Sequence, residues 1–102
     1  MSNYIEDVRR YVEDADEGAV GTIVKYLGIA LQGTDSSLVS CSDPSELARV
    51  RDGFCKKKLG LEAATADAAI KATCERMSGD RNKQRVTFYY LVAAETGTLD
   101  KL

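Results

Sequence analysis

Residues 85–92, RVTFYYLV, decide the fold. The β-branched and aromatic side chains from Val86 to Val92 carry high strand propensity, so the run reads either as a buried strand or as one face-filling helix. Two observations favour the helix. About sixteen residues separate the break at Gly79–Asp80 from Gly97, which is too long for one ordinary strand. A lone strand would also have no partner, because no other segment of the chain reads as one. On this reading a fifth helix runs from Asp80 toward Gly97. Phe88, Tyr89 and Tyr90 then fan over about 200° of its surface, with at least one ring buried and another free to face a partner.

Outward from that stretch the chain is helical. Tyr4, Ile5, Val8, Tyr11 and Val12 form one helical stripe, with Ser2 or Asn3 as its cap. Val20, Ile23, Val24, Leu27 and Leu31 form a second over residues 17–31, capped by Asp14 or Asp16 and weakened by Gly18, Gly21 and Gly28. Leu38 and Val39 fit one short helical turn. The start of the third helix is the clearest signal in the chain. Asp43 is its N-cap, Pro44 its first residue, and Glu46 is placed to reach back to the cap amide. Leu47, Val50 and Phe54 make its buried stripe, and Gly60 ends it in a left-handed cap. The fourth helix starts near Thr65 and ends at Ser78–Gly79, with Ala66, Ala69, Ile70, Thr73, Cys74 and Met77 inward. The prediction is one all-α domain over residues 1–102, a compact bundle of five helices plus one short turn.

Composition narrows the function. The 102 residues are 44% apolar and 29% charged, which is enough for one modest core and argues against disorder. Net charge is −2, so nothing draws the whole molecule to nucleic acid or an anionic membrane. The charge is unevenly spread. Residues 1–20 hold six acids against two bases, a net of −4, while residues 49–85 hold ten bases against five acids, a net of +5. The two halves are expected to attract each other, within the fold or in a dimer. No run approaches the roughly 20 apolar residues of a membrane span, and the N-terminal residues lack the apolar region of a secretory signal. Three widely spaced cysteines, Cys41, Cys55 and Cys74, with no C-x-x-C pair, predict reduced thiols and a cytoplasmic protein.

Templates for catalysis fail. The chain has no histidine, hence no Ser–His or Cys–His pair and no imidazole base. Zinc lacks a ligand set, and a phosphate-binding loop is absent. With Gly18 set at the glycine position of a calcium loop, Val24 falls where the terminal Glu is required, so that pattern fails too. The expectation is a non-enzyme without cofactor or metal. Cys55, just before three lysines, reads either as a small buried hydrophobe or as an activated thiol.

Two basic clusters remain. Lys56, Lys57 and Lys58 end the third helix, where cations complement the helix dipole. Arg81, Lys83 and Arg85 fall in the first turns of the fifth helix, where the dipole disfavours them. They read either as solvated or acid-paired side chains or as an anion site built with the free helix amides. The fourth helix, about 20 Å long, separates the two clusters unless the helices cross steeply. The aromatics do not form an RNA-binding strand, which needs glycines and alternating rings. The favoured expectation is a protein partner or a homo-oligomer; anion or nucleic-acid binding at the fifth helix is the alternative.

The stretches DEGAVGTIVKYLGIAL (16–31), SLVSCSDPSELARVRDGFCKKKLGL (37–61), LEAATADAAIKATCERM (61–77) and DRNKQRVTFYYLVA (80–93) together resemble a bacterial family of about 100 residues, domain of unknown function 2853. The resemblance spans nearly the whole chain. It implies a compact all-α fold with helix pairs arranged as in EF-hand proteins but without calcium loops, and it brings no activity, cofactor or catalytic residue.

Overall fold

The computed structural model describes residues 4–28, 38–80 and 83–102. The elements in chain order are α1 (Tyr4–Arg9), α2 (Glu17–Leu27), β1 (Leu38–Val39), α3 (Pro44–Arg49) continued by a π-helical segment (Val50–Lys58), α4 (Ala63–Arg76), β2 (Lys83–Gln84), α5 (Arg85–Glu95) and a 3-10 turn (Leu99–Lys101). The fold is all-α apart from the two-residue strands.

RVTFYYLV is the helix α5, and it lies at the centre. Every residue from Arg85 to Ala93 is buried. α1, α2, α4 and the π segment all pack on it, and the Cα radius of gyration, 12.2 Å, is that of a chain wound around one core. A helix covered on all sides needs apolar side chains all round, which is why it lacks the alternation of a surface helix. Tertiary contact thus overrides the local strand propensity. Phe88, Tyr89 and Tyr90 are all in the core, so no ring of the three is left to face a partner. Two of the buried hydroxyls of α5 reach other parts of the chain. The Tyr90 hydroxyl accepts the Asp16 amide at 2.8 Å, and the Thr87 hydroxyl donates to Asp7 of α1.

Leu38 and Val39 form no helical turn. They pair antiparallel with Gln84 and Lys83, and Val39 is buried. The expectation that the chain contains no strand fails here, because two residues are too few to leave a periodic signal. The same pairing moves the start of α5 from Asp80 to Arg85.

Caps follow the sequence closely at two helices. Asp16 accepts the Ala19 amide at 3.2 Å, and Asp43 accepts the Ser45 amide at 3.0 Å with Pro44 in the first turn. Glu46 departs from expectation. The Asp43 amide already donates to the Ser40 carbonyl at 3.3 Å, so Glu46 turns inward instead. The suggested caps of α1, Ser2 and Asn3, and the last residue of the second stripe, Leu31, lie outside the described residues.

The π segment was not anticipated. An α-helix continued through Phe54 would bring Lys57 or Lys58 onto the face of Val50 and Phe54. The wider i→i+5 winding instead buries Val50, Phe54, Cys55 and Leu59, and turns Lys56 and Lys57 out to solvent. Gly60 closes the segment with φ 68°, and the Leu61 amide donates back to the Cys55 carbonyl at 2.9 Å.

Cys41 and Cys74 are joined by a disulfide, contrary to the expectation of free thiols. Wide spacing in sequence hid their proximity: the α3 entry and the last turn of α4 bring the two Cα atoms to 5.9 Å across 33 positions. The thiol argument for a cytoplasmic protein falls with it. Cys55 is the free cysteine and is fully buried; desolvation, aided by Asp67, pushes its pKa up to about 11. That environment is the opposite of an activated thiol. No helix among the described residues is long and apolar enough to cross a membrane.

Candidate functional site

Of the three cations expected at the start of α5, the structure places two, Lys83 and Arg85. Arg81 lies outside the described residues. Lys83 belongs to β2, and its ammonium donates to the Asp80 carbonyl at 2.9 Å. Arg85 is buried. Its guanidinium donates to the Leu38 carbonyl at 3.0 Å and the Tyr89 hydroxyl at 3.3 Å, pairs with Glu46 at 2.5 Å, and stacks 5.8 Å from the Tyr89 ring centre. Glu46 Oε1 is buried with no hydrogen bond to another group, so the charge of Arg85 compensates it. Burial alone would lower the Arg85 pKa, but the Tyr89 hydroxyl and the Glu46 carboxylate outweigh it and the net shift is upward. Arg85 is a latch fastening β1 and α3 to the central helix. Sequence reasoning missed its partner because Glu46 had an adequate local role as a cap.

Asp80 is also spoken for. Its carboxylate accepts from the Tyr11 hydroxyl and from the Arg10 guanidinium, both just past or within the first helical stripe. These hydrogen bonds, Tyr11 foremost, hold its pKa below the usual carboxylate range. Burial and the bond to Asp80 push the Tyr11 hydroxyl up to about 12. Arg76 completes this clamp by donating to the Tyr11 carbonyl at 2.7 Å.

The second basic cluster fares differently. Ala48, Arg49, Asp52, Gly53, Lys56 and Lys57 line a shallow groove along the outer face of the third helix. They recur at i, i+1, i+4, i+5, i+8 and i+9, the residues a π winding stacks on one side. Ala48 and Gly53 give it a low floor. A Cβ on Gly53 would meet nothing within 4 Å, so the backbone there is open to close approach. Asp52 is held by Arg51 through two bonds of 2.9 and 3.1 Å, and Arg51 also reaches Asp67 of α4 at 3.4 Å. With Asp52 so occupied, the groove is left cationic. Arg49 is 77% exposed with Glu46 at 4.0 Å, and Lys56 and Lys57 form no ion pair among the described residues. Lys58 is half-buried and lies outside the groove.

Among the described residues no group of three or more Cys, Asp or Glu side chains converges to hold a metal ion. No curated protein and no solved structure matches the chain. A family model described as "Protein of unknown function (DUF2853)" matches residues 3–100, and the chain belongs to that family.

Proposed function

We propose that the protein acts by binding rather than by catalysis, and that it binds an acidic protein surface through the outer face of its third helix. One observation carries this: Arg49, Lys56 and Lys57 rim a single groove over a small-residue floor, and the acid within that groove is already neutralised by Arg51. Each exposed ion pair made there contributes about 0.2–1 kcal/mol, so the cations would orient a partner while contact with the floor supplies the remaining affinity. A protein partner is favoured over nucleic acid because the net charge is −2 and the face carries three cations, few for a phosphate backbone.

The test compares the natural chain with Lys56→Glu/Lys57→Glu as bait in an extract of the producing cells, with and without nuclease. A protein retained by the first bait, lost with the second and indifferent to nuclease is the expected result. Loss on nuclease treatment would point to nucleic acid instead. Equal retention by both baits would remove this face from the account.

A further inference from the structure

The uneven charge of the chain should be satisfied somewhere. The ion pairs among the described residues do not satisfy it. The acids of residues 1–20 that form ion pairs do so with Arg9 and Arg10 of the same segment: Asp7 with Arg10 at 2.6 Å and Glu17 with Arg9 at 3.0 Å. Among the described residues no ion pair joins them to the bases of the third helix. Glu13 and Asp14, on the turn between α1 and α2, are exposed and, among the described residues, form neither ion pair nor hydrogen bond to a side chain. The complementarity of the two halves is therefore unspent in the single chain.

The acidic end carries a groove of its own. Ile5, Val20, Gly21 and Val24 floor a shallow depression between α1 and α2, with Glu17 on its rim. A Cβ on Gly21 would meet nothing within 4 Å, as at Gly53 in the basic groove. Each groove thus has a low, backbone-open floor. Arg49, Lys56 and Lys57 leave the first cationic, whereas Glu17 beside the second is paired with Arg9, so the uncompensated acids of that end include Glu13 and Asp14 on the turn before α2.

We infer that the acidic surface engaged by the third helix is the α1–α2 end of a second copy of this chain. This rests on the reading of the third-helix face given above. The contact is head-to-tail: Lys56 and Lys57 of one copy meet Glu13 and Asp14 of the next. Unlike faces of identical chains can close into a pair or ring, or run on.

The test is sedimentation of the full chain with its disulfide intact, at about 10 mM and about 1 M salt, where the screening length falls from about 30 Å to about 3 Å. The natural chain should exceed monomer mass at low salt and fall to monomer at high salt. Lys56→Glu/Lys57→Glu and Glu13→Lys/Asp14→Lys should each weaken association about ten-fold or more, because like charges then oppose each other. Mixed in equal amounts, the two variants should associate again, since every rim in the mixture regains an opposite partner. Circular dichroism should show both variants still helical, since their altered side chains are exposed. A natural chain that is monomeric at low salt, or a mixture that does not recover, overturns the inference. If another protein is still captured through Lys56 and Lys57, the binding reading survives that failure. If nothing is captured, both fall.

Discussion

Arg85 shows how one side chain changes meaning with its surroundings. On the page of the sequence it is a cation at a helix start. In the fold it is a half-turn of scaffold, buried against Tyr89, Leu38 and Glu46. Removing it leaves the Glu46 carboxylate buried without compensation, and breaking such a pair destabilises by about 3–5 kcal/mol. The side chains of Arg85 and Glu46 keep 10% and 14% of their exposure, so Arg85→Met should sit near the lower bound, about 3 kcal/mol in urea unfolding. Adding Glu46→Leu should recover most of that loss. If the double variant is no more stable than the single one, the pair is not what Arg85 contributes.

Elements whose signals are local were legible in the sequence. The Asp43–Pro44 start of α3, the inward face of α4 and the left-handed stop at Gly60 stand where the residues put them. What failed to show were the features decided between elements. β1 and β2 are two residues each and pair Leu38 with Gln84 and Val39 with Lys83, far apart in the chain. The π winding is chosen by the exchange of Leu59 for a lysine in the core; the spacing of Val50, Phe54, Cys55 and Leu59 held that signal, but a search for α periodicity passes over it. Cys41 and Cys74 carry no mark of each other. Their bond closes a loop of 33 positions, and the chain-entropy account gives about 3–4 kcal/mol for a loop of that size. Reduction should lower the unfolding free energy by that order. Cys41→Ser/Cys74→Ser should reproduce the effect and abolish its dependence on reductant.

At the scale of the whole molecule, the candidate site was only half legible. The lysine run was visible, whereas its union with Arg49 and Gly53 depends on the π winding. The titrating groups also bound the pH range of the fold. Asp80 has a folded pKa below its unfolded value, so its stabilisation is full above about pH 4 and is lost as the pH falls further. Cys55, at about 11, and Tyr11, at about 12, are raised. Their folded forms keep a proton the unfolded chain has released, so stability is lost upward from about pH 8.5 for the thiol and about pH 10 for the phenol. Urea midpoints should therefore be flat between about pH 4 and 8.5 and fall on both sides. Cys55→Ala should remove the first part of the alkaline decline and leave the acid limb in place.

The enclosure of α5 from Arg85 to Ala93 has a kinetic consequence. No neighbouring helix can leave without uncovering part of it, yet it cannot itself be uncovered by the opening of any single neighbour. The backbone amides of Tyr89 to Ala93 are bonded within a helix that has no solvent face. They should exchange with deuterium only when the entire chain unfolds, whereas amides of α1, with Val8 as its one buried residue, should exchange through small local openings. The free energy read from the slowest of those central amides should equal the global unfolding free energy, and it should fall by the same amount when the Cys41–Cys74 bond is reduced.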